Sequence, residues 1–280
     1  MLSIQQSLSD ACQQLQPVVD SPQLEAELLL GYVLELSRTQ LRTWPETLLT
    51  DQQIKQFKEL LDARLQGQPI AYLIGRQGFW TLDLIVNPET LIPRPETELL
   101  VELALEKIPQ HSKWLITDLG TGSGAIVLSI AKERPECHFI ATDIFANTLE
   151  VARENARINK VDNVEFIQSH WFVNIDPKYK FEMIVSNPPY ISENDPHLQQ
   201  GDVQFEPQSA LSSGAHGLDD LHDIIKYSGQ YLKKEGWLLL EHGYDQERAV
   251  IQLMTAAGFR SVEDFRDLNQ QPRVITGQKH

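Results

Sequence analysis

From Trp114 onward the hydrophobic period switches repeatedly between strand and helix, and that alternation leaves few folds open to the chain. Leu115–Leu119 reads as a buried strand, Gly120-Thr121-Gly122-Ser123-Gly124 as a tight turn, and residues 125–132 as an apolar helix. A strand ending at Asp143 follows, then a helix over 148–159 and a strand over 164–168. Next come a strand at 183–186, a helix at 219–232 and a strand at 237–240. After a helix over 246–257, residues 262–265 and 273–276 are expected to close an edge hairpin. Strands separated by helices pair in parallel, because a parallel pair needs a long crossover, and the crossover helices cover both faces. The fold class is therefore α/β, a mostly parallel sheet with helices on both sides.

Residues 1–74 carry helical periodicity only. Ser21-Pro22 is an N-cap with proline at the first helical position, and Leu24, Leu28, Tyr32 and Leu36 recur every four residues beside Leu29 and Val33 as a core-facing stripe. Thr50 and Gln53 have capping-box spacing ahead of Ile54, Phe57, Leu61 and Leu65, and Gly67 stops that helix. No chemistry-bearing cluster occurs here, so a small helical bundle for recognition or scaffolding is expected. Over 75–93 the period moves towards two, through Phe79, Leu82, Leu84 and Val86, which predicts a β-hairpin linker. Residues 94–280 then form the remaining domain. It opens on the rigid Pro93-Arg94-Pro95 and the helical stripe Leu99, Leu100, Leu103 and Ala104.

Composition narrows the partners. The 280 residues are 41% hydrophobic, enough for a sizeable core, and 39 acidic against 24 basic residues give a formal charge of −15. That balance opposes a phosphate backbone, whose binding draws on Lys and Arg, so direct nucleic-acid binding is not expected. Cys12 and Cys137 are too few and too far apart for a disulfide framework or a Cys-rich metal site. With no basic and apolar leader at the N-terminus and no run of 18 apolar residues, a soluble cytoplasmic protein without membrane contact is expected.

Two stretches carry chemistry. Glycines between a strand and a helix let the backbone turn sharply and approach a ligand, while the helix start offers unpaired N–H groups. Asp143 lies 19 residues after Gly124 at the end of the next strand, where a carboxylate can accept from both hydroxyls of a ribose. An adenosine-containing cofactor follows, although Gly120-Thr121-Gly122-Ser123-Gly124-Ala125 also satisfies the permissive dinucleotide pattern and, taken alone, an ordinary turn. Asn187-Pro188-Pro189-Tyr190 ends the strand before it, since proline lacks an N–H and fixes its own φ. Read alone it is also a common Pro-Pro turn with Asn as strand cap. If a planar NH2 group is held there, the Asn187 side-chain carbonyl and the Pro188 carbonyl can each accept one hydrogen bond, and the Tyr190 ring can stack on the same group.

The ordered set of Asp118 before the glycine turn, Asp143 after the next strand and Asn187-Pro188-Pro189-Tyr190 resembles the amino-methylating class I S-adenosylmethionine-dependent methyltransferases. More closely, the chain resembles the release factor glutamine methyltransferases of the HemK/PrmC family. The resemblance spans Ile92-Pro93-Arg94-Pro95-Glu96-Thr97-Glu98, the stretch from Asp118 to Gly124, and Val185 to Ile191. It continues through Phe205-Glu206-Pro207 and Leu238-Leu239-Leu240-Glu241-His242-Gly243.

This resemblance implies a Rossmann-like sheet that binds S-adenosylmethionine, leaves S-adenosylhomocysteine and uses no metal. Asp118, Gly120, Thr121, Gly122, Ser123, Gly124, Asp143, Trp171 and Asn187 would contact the cofactor. Asn187, Pro188, Pro189 and Tyr190 would hold the acceptor, with Asn187, Pro188 and Tyr190 at the chemistry. The implied acceptor is the glutamine of the Gly-Gly-Gln motif in class 1 release factors. Glutamine methylation of a large-subunit ribosomal protein, adenine methylation of nucleic acid and a non-catalytic cofactor-binding module are the alternatives. Arg94 to Glu98 favours release factors over the ribosomal protein. Family members often carry an acid where this chain has His170, so adenine recognition is expected to use backbone groups near His170 and Trp171. His197, His216 and His222 match no zinc spacing and are expected to be surface histidines. Residues 192–217, polar and rich in Pro and Gly, are expected to be a functional loop that closes over the glutamine or meets the release factor.

Overall fold

The computed structural model describes residues 2–280 and divides into two compact units. One runs through Arg76 and takes in Gly201–Phe205, and the other comprises Gln77–Gln200 and Glu206–His280.

The first unit is built of helices α1 (Ile4–Leu15), α2 (Pro22–Leu34), α3 (Arg38–Thr43), α4 (Asp51–Leu65) and α5 (Ile70–Ile74). Reciprocal capping boxes start three of them, at Ser3 and Gln6, Ser37 and Gln40, and Thr50 and Gln53. Its core gathers Leu15, Leu29, Leu30, Leu41, Phe57 and Leu61. The stripe expected on α2 is rotated. Leu24 and Tyr32 are 37% and 54% exposed, whereas Ala26, Leu29 and Leu30 are fully buried. Three consecutive leucines from Leu28 make this helix apolar on most sides, so periodicity alone does not single out the packed face. Glu27 shares that buried face. Burial pushes its carboxyl up, but hydrogen bonds from Gln23, Arg38 and Arg42 outweigh this and hold it below the usual carboxylate range. Arg64 bonds both Glu25, at 2.7 Å, and Asp202, at 2.8 Å, which ties Gly201–Phe205 to α4.

In the second unit the hairpin strands β1 (Arg76–Phe79) and β2 (Leu82–Ile85) send Phe79, Leu82 and Leu84 into the same core as α6 (Glu98–Lys107) and α7 (Ala125–Glu133). Leu91-Ile92 adds no strand; the Ile92 amide instead donates to Glu206 Oε2 at 2.9 Å, and Arg94 pairs with the other oxygen of that carboxylate. Seven further strands follow: β3 (Leu115–Leu119), β4 (His138–Asp143), β5 (Val164–Gln168), β6 (Phe181–Ser186), β7 (Leu232–Glu241), β8 (Phe259–Arg266) and β9 (Pro272–Lys279). They form one sheet in the order β5-β4-β3-β6-β7-β9-β8, parallel from β5 to β7, with β9 inserted antiparallel between β7 and β8.

Successive residues of each strand point to opposite faces. Ile116, Phe139, Met183 and Leu239 join α6, α7 and α8 (Ala146–Asn159) in one core. Ile140, Ile184, Leu238 and Leu240 join α9 (Asp219–Tyr231) and α10 (Glu247–Ala256) in the other. The α/β expectation therefore holds, with helices on both faces. The edge hairpin also forms, and both of its strands are longer than the sequence indicated.

Gly124 starts α7 with φ +86°, and a Cβ there would lie 2.8 Å from Leu128 Cδ1. Gly124→Ala is therefore expected to destabilise the protein by about 1–3 kcal/mol, read as a lower urea midpoint.

Candidate active site

In an open α/β sheet, the ends of neighbouring strands whose crossovers run in opposite directions leave a crevice at their carboxyl side. Here β3 lies between β4 and β6, so the crevice opens beside the carboxyl end of β3. The glycine turn follows β3, Asp143 ends β4, and Asn187 follows β6. All three border one cavity of about 360 Å³.

The turn is shaped by three positive-φ glycines, at +72° for Gly120, +57° for Gly122 and +86° for Gly124. Gly120, Thr121, Gly122 and Ser123 line the cavity. Gly124 is not among the lining residues and packs against Leu128 and Ala152. Asp143 accepts from the Gly122 amide at 3.0 Å and from the Phe145 amide at 3.1 Å. Burial pushes its carboxyl up, and these amides partly offset that. Nothing meets a Cβ built on Gly122 within 4 Å, so the space above that amide is open.

Asp118 sits beneath this floor rather than among the lining residues. It is fully buried, its Oδ2 accepts from the Thr121 hydroxyl at 2.7 Å, and Oδ1 has no partner at full hydrogen-bond geometry. Burial pushes its pKa up to about 7. An aspartate held protonated by folding stabilises the protein fully below its unfolded value and loses that contribution as pH rises through about 7. Asp118→Asn is thus expected to melt above the wild type near pH 8 in the absence of ligand, the gap closing towards about pH 4, by thermal denaturation.

Trp171 and His170 line the cavity. Ser169 organises their turn by accepting from the Asn174 amide and donating to the Trp171 carbonyl, both at 2.9 Å, while Trp171 takes φ +46°. The indole Nε1 donates to Asp220 at 3.1 Å, and the ring covers Gly120, where a Cβ would lie 3.0 Å from it.

Of the Asn-Pro-Pro-Tyr residues, Asn187 and Pro189 line the cavity and Pro188 is buried next to them. The Asn187 Nδ2 donates to the Thr97 hydroxyl at 3.3 Å. Tyr190 is not brought to the cavity lining: its ring packs against the α9 and α10 core and its hydroxyl donates to Glu241 at 3.0 Å. Burial and the neighbouring Glu241 charge hold its hydroxyl protonated, well above the usual phenol range. Tyr190 thus makes an anchoring contact behind Asn187.

Residues 192–217 fold into three short 3₁₀ turns, and Pro207, Ser209, Ala210 and Ser212 reach the cavity. Gln246 clamps both ends of the segment, donating to the carbonyls of Tyr190 at 2.9 Å and Gly217 at 3.1 Å. His197 and His222 lie exposed beside Asp195 and Asp223, and among the described residues no group of three or more His, Cys, Asp or Glu could hold a metal ion.

Some lining residues have no motif in the sequence. Phe145, Ile144 and Asp220 reach the cavity from a strand end and a helix start, where an exposed aromatic after Asp143 was the one available signal. Thr97 was readable only as a helix start. Glu89, Asp143 and Asp220 line the cavity, and Arg94, also on the lining, is paired to Glu206.

Residues 96–205 match the methyltransferase small domain family, and a methyltransferase from Pyrococcus furiosus shares the fold with a TM-score of 0.54 at 20% identity. That likeness covers 78% of this chain and 97% of the other. The family matched over this domain is one of methyltransferases. Residues 6–75 match the PrmC N-terminal domain. Release factor glutamine methyltransferases of Escherichia coli (strain K12) and Pseudomonas aeruginosa are 46% and 48% identical to this chain. They cover 99% and 92% of it, over 99% and 94% of their own lengths. The chain belongs to the release factor glutamine methyltransferase family.

Proposed function

We propose that the protein transfers a methyl group from S-adenosylmethionine to the side-chain amide nitrogen of the glutamine in the Gly-Gly-Gln motif of class 1 release factors. The observation that carries this reading is one cavity bordered by both the Asp143 and glycine-turn cradle and the amide acceptor Asn187. Full-length relatives at 46% identity are release factor glutamine methyltransferases.

The lining fits the cofactor. Asp143 would hold the ribose hydroxyls, the Gly120 to Ser123 backbone would admit the ligand closely, and Phe145 and Trp171 would flank the adenine. The lining carboxylates Glu89, Asp143 and Asp220 suit a ligand that carries a sulfonium and an ammonium. When bound, S-adenosylmethionine supplies an electrophilic methyl group. Asp118, below the floor, supports the Thr121 end of the turn.

An amide nitrogen is a poor nucleophile because its lone pair is delocalised. Asn187 Oδ1 and the Pro188 carbonyl would each accept from the glutamine NH2, which fixes the nitrogen and raises its electron density. Fixed alignment is worth roughly 7–11 kcal/mol of a barrier when it is complete. The displaced amide proton passes to water or to a carbonyl, so the site needs no dedicated base. We assign release factor recognition to the helical unit, and the cytoplasm as the place of action; among the described residues no helix is long and apolar enough to cross a membrane.

The test is intact mass. Incubation with S-adenosylmethionine and a class 1 release factor should add one CH2 to the factor, and a Gln→Ala change in its Gly-Gly-Gln motif should prevent the gain. A gain that survives the change, or that appears on ribosomal protein or nucleic acid instead, overturns the assignment.

A further inference from the structure

Behind Asn187 lies a buried polar chain to which the chemistry above gives no task. Thr97 is 4% exposed and Glu241 1%. Tyr190 donates to Glu241 Oε1 at 3.0 Å, and the Thr97 hydroxyl lies beside the same carboxylate and supports its charge. Glu241 Oε2 has no partner at full hydrogen-bond geometry. On the other side of Thr97, Asn187 Nδ2 donates to Oγ1 at 3.3 Å. Arg273 and Glu96 are the other charged groups that act on Glu241, the first favouring its charge and the second opposing it. The neighbouring His242 faces Asp264 and the Gly243 carbonyl.

An asparagine amide has two ends of nearly equal shape, and only the carbonyl end can accept from a substrate NH2. A carboxylate accepts and never donates, whereas a threonine hydroxyl has one proton to give. With Glu241 ionised, its charge draws that proton towards the carboxylate, and the Thr97 lone pair left facing Asn187 takes an N–H and repels a carbonyl oxygen. We infer that Glu241 and Thr97 are positioning residues that set the direction of this relay and hold Asn187 with its Oδ1 towards the acceptor amide. The inference rests on the proposed role of Asn187 as the amide acceptor.

The relay has a sign in pH. Burial pushes the Glu241 carboxyl up, with Thr97, Arg273 and Tyr190 opposing that and Glu96 adding to it. Once protonated, Glu241 can donate to Thr97, whose hydroxyl can then donate to Asn187 Oδ1 and favour the reversed amide. Turnover should therefore fall on the acid side as pH drops through that raised value.

The test uses Glu241→Gln, Thr97→Val and Thr97→Ser in the full chain. Glu241→Gln keeps the shape, removes the charge and presents an NH2 that donates to Thr97. Both Glu241→Gln and Thr97→Val should lower kcat for release factor methylation by about 10-fold or more, comparable to one buried hydrogen bond, with the Kd for S-adenosylmethionine unchanged. Thr97→Ser should restore it, and Glu241→Gln should lose the acid limb. In NMR spectra, the Asn187 side-chain NH2 should show a cross-peak to Thr97 in the wild type and none in Glu241→Gln. Wild-type kcat in Glu241→Gln, or an equal loss in Thr97→Ser and Thr97→Val that follows their melting temperatures, overturns the inference. A wild type that leaves the release factor unmodified sinks the functional reading instead, and the cross-peak still decides the relay.

Discussion

Asn187→Ala is expected to lower methyl transfer to the release factor by about 10²- to 10³-fold, the usual cost of removing one preorganised polar contact at a reacting group. The loss should fall on kcat, because the lost carbonyl acts on the reacting nitrogen. The Kd for S-adenosylmethionine should change little, since Asp143 and the glycine turn remain as they are. Single-turnover mass spectrometry with saturating cofactor separates the two. Unaltered single-turnover rates would remove Asn187 from the chemistry. A lost cofactor affinity with an intact rate would make Asn187 a cofactor contact only.

Asp143→Ala should act on the opposite side of the cavity and with the opposite kinetic signature. The carboxylate holds the Gly122 and Phe145 amides, at 3.0 and 3.1 Å, and is placed to take the ribose hydroxyls as well. Hydrogen bonds to a charged group contribute about 1.5–3 kcal/mol each, so losing two from the ligand weakens cofactor binding by about 10²-fold or more. Titration calorimetry with S-adenosylmethionine reads this directly. Turnover at saturating cofactor should recover most of its wild-type value, because Asn187 is untouched. An unchanged Kd would show that Asp143 serves only to brace the turn.

These two effects separate because the two residues leave different strands on either side of β3. The sheet order puts β4 and β6 on opposite flanks of that strand, and the cavity lies where their ends diverge. Local motifs announce each residue singly, while the strand order brings them to one space.

Much of this was legible in the chain. Strands β3, β4 and β6 are short apolar runs that end at Gly120, Asp143 and Asn187, and those terminators are the same residues that border the cavity. The capping box at Thr50 is likewise local, because a cap needs only a side chain three residues from its partner amide. Periodicity failed on α2, where leucine covers most of the helix surface and a buried Glu27 lies among apolar residues. It was silent on α3 and α5, which are too short to repeat.

The sequence by itself determined the α/β class, the glycine turn with Asp143, and Asn187 at a strand end, since each depends on residues close together in the chain. Tertiary structure alone decided which of them meet. It packed Gly124 against Leu128, bonded Tyr190 to Glu241, and placed Asp118 beneath the cavity floor. It also joined Thr97 to Asn187 across 90 residues. Burial and hydrogen-bond direction are properties of the assembled core, and no spacing along the chain encodes them.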